Sequence, residues 1–428
     1  MTRHSFTMRL GGVALAGATA LLLVTALSAS ASADSTPAAD CVINCVATFD
    51  TPSAAETFAI PGGITDLSVT VSGGAGAEAP AFAVALAGAA ASTGGVTTVD
   101  LGTTYAGQTL TLGVGGIGEG SYVQQGSTLL MVAGGGGGAG YGGRLDLPGQ
   151  ISSTQAGGDG GAPAGPGPAV QSGFDADAFG QASVNGGGGE GSGGTAGTGS
   201  GTISLNGVAG GDTTTTTAAG STLAAGGTGP TASIGGNTQV AGSGGSGYTG
   251  GGSGGMATFT DSDDNPTDVV GGGGGGSGFT ASGLSATAGT PNTGTGSVVL
   301  TYSFSPTITT TATTVSHGDT VPVTITGLPA NTAFTVAFDD GLVVTATSDG
   351  SGDASETFIV GSAAAAGHFR LSLVVGGTSV ATSDPVTVIG ALPSTGGPSP
   401  ELPAMAALLL ILVGASAVVL RRRRSVRS

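Results

Sequence analysis

The sequence predicts an all-β protein built from two modules of unequal composition. Short runs that alternate apolar and polar residues recur along the chain, beginning at 67–71 and 109–114. Runs of this kind are typical of strands when they are rich in β-branched residues and bounded by Gly, Pro or Asp turns. Glycine divides the chain, because 72 of its 88 glycines lie between Gly62 and Gly296. We therefore expect a glycine-rich β module at 49–304 and a second β-sandwich at 305–390.

The first 33 residues have the layout of a secretory signal peptide. Arg3 and Arg9 precede an apolar stretch at 13–27, and small residues that include Ala31 and Ala33 follow it. This order predicts export, with a signal peptidase site formed by Ala31 and Ala33 and cleavage after Ala33. A second membrane anchor is the alternative interpretation of the same stretch.

Residues 34–48 form an N-terminal segment that contains both cysteines of the chain, Cys41 and Cys45. An exported chain meets an oxidising environment, so a local disulfide between them is expected. The loop that it closes is small, so it adds little stability. An intermolecular link is the alternative.

In the module at 49–304 the glycines lack the strict three-residue period of collagen. Composition alone predicts disorder for such a segment. However, the segment embeds four strand-like runs, at 67–71, 109–114, 128–132 and 297–302. Disordered linkers do not usually contain such runs, so we expect a folded module. Disorder of the central insert at 149–262 is the alternative.

Several sequence pieces occur in a fixed order in this module. They are 57–74, 106–116, the run from Leu129 to Gly138, the run from Gly271 to Phe279, and 294–302. Their order resembles the glycine-rich domain of the extracellular parts of anaplastic lymphoma kinase and leukocyte tyrosine kinase, which many bacterial surface proteins also contain. The resemblance implies a small β-sandwich threaded by bundled polyglycine II helices. In the receptor kinases the related domain binds a protein ligand.

The physics of that bundle accounts for the glycine. A helix of the polyproline II type has three residues per turn and no internal hydrogen bonds, so its backbone must pair with neighbouring helices. Side chains would hold the helices apart, so glycine is needed where they touch. The run from Gly271 to Gly276 would extend about 19 Å at 3.1 Å per residue.

Glycine thins out between 306 and 389, where short alternating runs are separated by turn signals. The predicted strands are 307–314, 321–326, 333–338, 342–347, 354–359, 369–375 and 386–389. Seven short strands fit an immunoglobulin-like (Ig-like) sandwich without the disulfide or Trp of antibody domains. The strings at 318–321 and 367–371 resemble bacterial Ig-like modules of wall-anchored proteins, which usually act as stalks. The expected core consists of Val323, Ile325, Phe334, Val336, Phe358, Leu371 and Leu373.

Residues 391–428 combine a motif, an apolar run and a basic tail. The motif is Leu392, Pro393, Ser394, Thr395 and Gly396, and the tail begins with four arginines at 421–424. The uncharged run at 404–420 has 17 residues. It would span about 25 Å of hydrocarbon, with the arginines on the cytoplasmic side.

This end resembles the cell-wall sorting signal that sortases read on Gram-positive surface proteins, whose pattern is Leu-Pro-any-Thr-Gly. The resemblance implies that a sortase cysteine attacks the Thr395 carbonyl and releases everything from Gly396 onward. Thr395 would then be joined to an amine of the peptidoglycan precursor. An ordinary membrane anchor preceded by a chance motif is the alternative.

The charge of the chain excludes some partners. The chain has no lysine, and its nine basic residues are all arginines. Between the two predicted cleavage sites the chain contains two basic residues, Arg144 and Arg370, and 25 acidic residues. The formal net charge of this part is therefore about −23. Such a surface offers no basic footprint for nucleic acid. The missing lysine also excludes internal isopeptide bonds and a pilin shaft that polymerises through its own lysine.

Few side chains suggest chemistry. His317 and His368 are not accompanied by a nucleophile elbow, so we interpret both as surface imidazoles. Asp261, Asp263 and Asp268 lie in an acidic run whose oxygens suit Ca²⁺, but Pro266 stands where an EF-hand needs Gly. We expect a solvated acidic loop there, with a calcium site as the alternative. We expect no catalytic residue and no cofactor.

Together these features predict a non-enzymatic surface protein, structural or adhesive, that displays a glycine-rich head on an Ig-like stalk. It would be secreted and covalently attached to the cell wall of a Gram-positive bacterium, after a membrane-anchored precursor stage. The expected partners are sortase as the processing enzyme, peptidoglycan as the covalent attachment, and an extracellular protein or glycan ligand. A wall-attached hydrolase with an unrecognised active site is the alternative.

Overall fold

The computed structural model describes residues 35–78, 92–143, 151–155, 157–161, 170–174, 182–186, 196, 203–212, 214–234, 237–260, 266–338, 343–361 and 364–390. The predicted signal peptide and the predicted sorting signal lie outside these residues. So do Asp261 and Asp263.

The described part of the chain is all-β, as predicted. The strands of the first module are β1 (Cys45–Phe49), β2 (Ser53–Ala59), β3 (Ile64–Ser72), β4 (Val96–Asp100), β5 (Thr109–Val114), β6 (Ser121–Gln125), β7 (Thr128–Ala133), β8 (Gly140–Gly143), β9 (Ile151–Gln155), β10 (Val170–Phe174), β11 (Ala182–Gly186), β12 (Ile203–Leu205), β13 (Thr215–Thr217), β14 (Gly220–Thr222), β15 (Thr231–Ile234), β16 (Asn237–Val240), β17 (Met256–Thr260), β18 (Pro266–Val270), β19 (Phe279–Thr280), β20 (Ala286–Ala288) and β21 (Ser297–Phe304). The strands of the second module are β22 (Thr307–Thr310), β23 (Thr314–Ser316), β24 (Thr320–Thr326), β25 (Ala333–Phe338), β26 (Val343–Thr347), β27 (Ala354–Ile359), β28 (Gly367–Phe369), β29 (Leu371–Val375), β30 (Thr378–Thr382) and β31 (Val386–Ile389).

Two antiparallel sheets of five strands form the sandwich of the first module. Their strand orders are β1-β21-β3-β4-β20 and β19-β7-β6-β5-β2. Alternation explains the burial, since every second residue of β21 is buried and the intervening residues are half-exposed. The facing side chains are fully buried: Leu67, Val69, Leu110, Leu112, Met131 and Leu300. All four strand-like runs predicted here lie within β3, β5, β7 and β21.

The N-terminal segment belongs to this sandwich. Strand β21 pairs with β3 on one side and with β1 on the other, so the last strand lies against the first. The expected boundary at 48/49 therefore falls inside β1. Cys41 and Cys45 form a disulfide with their Cα atoms 5.7 Å apart. The loop within it accepts a hydrogen bond, because the Phe304 amide donates to the Val42 carbonyl at 2.7 Å.

Glycine-rich segments between the strands exchange backbone hydrogen bonds at every third residue. Gly135 donates its amide to the carbonyl of Ser246 at 2.8 Å, and Gly138 donates to Ser243 at 2.7 Å. The two segments therefore run antiparallel with a period of three, which is the repeat of a polyglycine II helix. We call this set of paired segments the glycine lattice.

The lattice joins segments that are distant in sequence. Further hydrogen bonds with the same period run from Gly242 to Gly271, Gly245 to Gly274, Gly273 to Gly138, Gly276 to Gly135, Gly158 to Gly273 and Gly161 to Gly276. These amides and carbonyls find partners in neighbouring segments, as a polyglycine II bundle requires. Many of the described residues of the predicted central insert take part.

The second module packs three small sheets around one core. Their orders are β22-β24-β27, β23-β31-β28 and β26-β25-β29-β30. The predicted core is confirmed, because Val323, Ile325, Phe334, Val336, Phe358, Leu371 and Leu373 are all between 0% and 6% exposed.

Two predicted strands of this module are divided, and one strand is additional. The run at 307–314 is split because β22 pairs with β24, whereas β23 pairs in parallel with β31. The run at 369–375 is likewise split at Arg370 between two sheets. Strand β30 was not predicted; it forms a hairpin with β29 through Gly376 and Gly377, whose φ angles are +55° and +82°. Positive φ at both turn residues is the geometry of a two-residue hairpin loop.

Candidate functional site

A cleft of about 620 Å³ lies where the glycine lattice meets the second sheet of the sandwich. Its lining residues are Pro52, Ser53, Ala54, Ala77, Gly113, Val114, Gly115, Ile117, Gly118, Glu119, Gly120, Tyr122, Gly136, Gly138, Ser221, Leu223, Ala225, Gly226, Ser243, Gly244 and Ser246. The volume lies within the range of about 300–1,000 Å³ that is usual for ligand sites.

Tyr122 of β6 fixes the sheet-side wall of the cleft. Its hydroxyl donates a hydrogen bond to the carbonyl of Ala54 at 2.6 Å and accepts one from the amide of Ser221 at 3.0 Å. Burial raises the pKa of the Tyr122 phenol, and the hydrogen bond from Ser221 opposes that shift. The side chain lies against Gly113, where an added Cβ would overlap the ring. Tyr122 thus joins β2 to the β13–β14 hairpin.

Gln124, also on β6, forms hydrogen bonds with the same β13–β14 hairpin. Its Nε2 donates to the carbonyls of Gly126 at 2.8 Å and Thr217 at 2.7 Å, and its Oε1 accepts from the hydroxyl of Ser221 at 2.5 Å. The side chain is fully buried, so these partners satisfy polar atoms that water cannot reach. The hairpin position is therefore fixed at two residues of one strand.

The turn at 115–120 carries Glu119, the one charged side chain among the lining residues that the structure describes. Oε2 of Glu119 accepts a hydrogen bond from the amide of Gly116 at 2.9 Å, and Gly118 has a φ of +74°. Ile117, at the tip of the turn, is 53% exposed. The turn is tied to the lattice because the amide of Gly120 donates to the hydroxyl of Ser246 at 2.9 Å.

The opposite wall consists of lattice segments at 136–138, 225–226 and 243–246. Ser243 and Ser246 place hydroxyl groups in this wall. The Ser243 hydroxyl accepts a hydrogen bond from the amide of Gly229 at 3.2 Å. Among the residues that the structure describes, the lining contains no Arg, Lys, His or Cys. The described lining therefore has neither a nucleophile beside a base nor a pair of carboxylates, whereas it does have hydroxyl groups and one carboxylate.

The residues singled out from the sequence lie elsewhere. Nε2 of His317 is 2.8 Å from the carbonyl of Ala364, and Nδ1 of His368 is 2.9 Å from the hydroxyl of Thr387. Both histidines belong to the second module, outside the cleft.

The acidic run differs from its predicted form. Asp268 is not in a loop but in β18, where its backbone lies opposite Thr258 of β17. Pro266 is the first residue of that strand, a position at which a missing amide is tolerated. No group of three or more His, Cys, Asp or Glu that could hold a metal occurs among the residues that the structure describes.

Sequence reasoning did not find the cleft. One of the ordered sequence pieces, 106–116, includes Gly113 to Gly116. However, no sequence signal indicates that Glu119, Tyr122 and Ser221 lie close together. Ser221 is 99 residues from Tyr122. The one available signal was the isolated Ile117 and Glu119 within a run of glycines.

Within the described ranges, no helix is long and apolar enough to cross a membrane. No protein-family model matches the chain, and no curated protein is significantly similar to it.

Proposed function

We propose that this chain is a non-enzymatic surface protein that binds an extracellular ligand through its glycine-rich module. The observation that carries the proposal is the composition of the cleft. Its described residues offer hydroxyl groups and one carboxylate, and among them there is no pair of groups that could transfer a proton and no nucleophile beside a base.

The order of the modules supports a display role. The second module separates the cleft-bearing module from the Leu392–Gly396 motif, which resembles a sortase signal. A stalk in this position would hold the head away from the wall after a sortase had joined Thr395 to peptidoglycan. The protein would thus be secreted and wall-attached, with a membrane-anchored precursor.

Display of the full chain on a sortase-containing Gram-positive host tests this proposal. Cells that carry the chain should adhere to at least one of a panel of immobilised matrix proteins, mucins and wall glycans, whereas host cells without it should not. Purified chain should leave peptidoglycan, peptide and glycoside substrates unchanged. Turnover of any of these substrates, or equal adhesion of both cell types to the whole panel, would contradict the proposal.

A further inference from the structure

Residues 40–45 contain the Cys41–Cys45 disulfide and face the second module. We call them the disulfide loop. The loop and the β29–β30 hairpin line the two sides of a crevice of about 240 Å³. The lining residues are Asp40, Cys41, Val42 and Ile43 from the loop, and Val375, Gly376, Thr378 and Val380 from the hairpin. A Cβ built on Gly376 would lie 2.9 Å from Oδ2 of Asp40, so no side chain fits between the two sides at this point.

The other half of the disulfide loop is anchored to the first module. Val42 is 4% exposed, and its carbonyl accepts the hydrogen bond from the amide of Phe304 in β21. The amide of Asn44 donates to the hydroxyl of Ser303 at 3.0 Å. Asn44 has a φ of +52°, which is uncommon for a residue other than Gly and marks a tight turn. The loop therefore connects the last strand of the first module to a hairpin of the second.

The chain itself is the other connection between the modules. Ser305 and Pro306 are the two residues that separate β21 from β22. Pro306 is buried and its ring fixes its φ, while the carbonyl oxygen of Ser305 would be 3.0 Å from a Cβ on Gly327. This short connection restricts the angle between the modules. The contact of the disulfide loop with the hairpin restricts the angle further.

The disulfide controls the position of Asp40. Cys41 is bonded through its sulfur to Cys45, which is fully buried in β1, so the residue next to Asp40 is held against the sandwich. The ring that the disulfide closes is small, so it constrains the unfolded chain only slightly. The main effect of the disulfide is therefore local, on the loop and on its contact with Gly376.

We infer that the disulfide loop is a redox-sensitive contact that fixes the angle between the two modules. With the disulfide formed, the loop is docked on the β29–β30 hairpin and the modules move as one unit. After reduction the loop leaves the hairpin, and the modules bend at Ser305. This property is separate from the proposed function, because it does not depend on a ligand of the cleft.

The reductant would be a small dithiol. One of its thiolates attacks the sulfur of Cys41, which is half-buried, and displaces the thiolate of Cys45. The second thiol of the reagent then attacks the mixed disulfide and releases Cys41 as a thiol. Two electrons pass to the protein, and the reagent leaves as its own disulfide.

Digestion of the native, purified full chain with subtilisin tests the inference, because a protease cleaves a folded segment only after it opens locally. Cleavage between Tyr302 and Ile308 is followed by mass spectrometry with and without dithiothreitol. Reduction should speed this cleavage at least about fivefold and leave cleavage in the turn at 115–120 unchanged. Equal rates between residues 302 and 308 with and without dithiothreitol would overturn the inference.

Cys41→Ala combined with Cys45→Ala removes the disulfide without a reductant. This double variant should be cleaved between residues 302 and 308 at the rate of the reduced parent, and dithiothreitol should not accelerate it further. Cleavage at the rate of the oxidised parent would overturn the inference, as would an acceleration by dithiothreitol that persists in the variant. If the variant does not fold, the parent still provides the test, because it is reduced after folding.

Gly376→Asp tests the contact from the second module and leaves the disulfide intact. Gly377→Asp is the matched control. Both glycines have a positive φ, which Asp tolerates better than most residues, but nothing lies within 4 Å of a Cβ at Gly377. Gly376→Asp should overlap and repel Asp40, and so speed cleavage between residues 302 and 308 at least about fivefold without dithiothreitol. Gly377→Asp should be cleaved like the parent, and equal rates for the two variants would contradict the contact between Asp40 and Gly376.

Discussion

Gly137 lies so close to the carbonyl group of Gly273 that a Cβ on residue 137 would overlap it. The two residues are in different lattice segments, which are held together because the amide of Gly273 donates to the carbonyl of Gly138 at 2.9 Å. The obstacle at position 137 is therefore backbone, which cannot rotate away as a flexible side chain could. At such positions glycine is required by packing, because any Cβ would overlap backbone atoms.

Gly137→Ala should destabilise the first module by about 1–3 kcal/mol, since overpacking forces the lattice segments apart. Gly62 is the matched control, because nothing lies within 4 Å of a Cβ there and its φ is not positive. Gly62→Ala should be neutral or stabilise by up to about 1 kcal/mol through the unfolded state. Urea unfolding of the full chain measures both, and equal stabilities would contradict the lattice packing.

The strands of both modules were largely predictable because alternation and turn residues are local signals. Strand β25 (Ala333–Phe338) and strand β5 (Thr109–Val114) have the predicted bounds. The split at Arg370 was not predictable, since it depends on which sheet each half of the run joins. Strand β30 (Thr378–Thr382) was not predicted because its sequence, Thr-Ser-Val-Ala-Thr, lacks the alternation of apolar and polar residues, although the turn signal of Gly376 and Gly377 precedes it.

The cleft could not be predicted for a different reason. The contact between Tyr122 and Ser221 spans 99 residues of sequence, most of them Gly, Ser, Thr or Ala. Such residues carry almost no periodic signal, so the sequence does not indicate which lattice segments become neighbours. The resemblance to a glycine-rich domain suggested the three-residue helices, but the pairing of particular glycines depends on the three-dimensional arrangement.

Tyr122→Phe should destabilise the first module by about 1–3 kcal/mol, because the Ala54 carbonyl and the Ser221 amide lose their hydrogen-bond partner.

The difference in stability between the parent and Tyr122→Phe should become smaller at alkaline pH. Burial raises the pKa of Tyr122 above its usual 10.0, so the stability linked to its proton is complete below pH 10 and falls as the pH rises through the raised pKa. Urea midpoints of parent and variant between about pH 8 and 11 measure the difference. The half-buried Tyr105→Phe is the control, and parallel pH curves for parent and Tyr122→Phe would contradict the linkage.

Asp349 should make the second module sensitive to acid. Its carboxylate accepts hydrogen bonds from the amide of Asp353 at 3.0 Å and from the amide and hydroxyl of Ser351, each at 2.8 Å, and these hold its pKa below the usual 3.8. The associated stability is present above pH 3.8 and disappears as the pH falls through the lowered pKa. Asp349→Asn should flatten this decline in urea midpoints, whereas Asp384→Asn, at an exposed position of the same module, should not. A decline equally steep in both variants would contradict the role of Asp349.

Phe334→Ala should destabilise the second module by about 3–5 kcal/mol, because it removes a large side chain that is 3% exposed from the core. Ile359 provides the comparison, since it is 62% exposed on β27. Ile359→Ala should change the unfolding free energy by no more than about 0.5 kcal/mol. Thermal unfolding followed by circular dichroism measures both variants. Similar losses for the two would mean that Phe334 is not part of the core.

Thr395→Ala should move the protein from the covalently wall-linked fraction to the membrane fraction of a sortase-containing Gram-positive host. The expected reason is that Thr395 supplies the carbonyl that the sortase attacks, while the apolar run at 404–420 would keep an uncleaved chain in the membrane. Fractionation after muramidase digestion, followed by immunoblotting, measures the distribution. Ser394→Ala is the matched control, because the third position of the motif accepts any residue, and it should remain wall-linked. Recovery of Thr395→Ala in muramidase-released wall material would contradict the sortase interpretation. Equal loss of both variants from the wall would contradict the expectation that the third position of the motif accepts any residue.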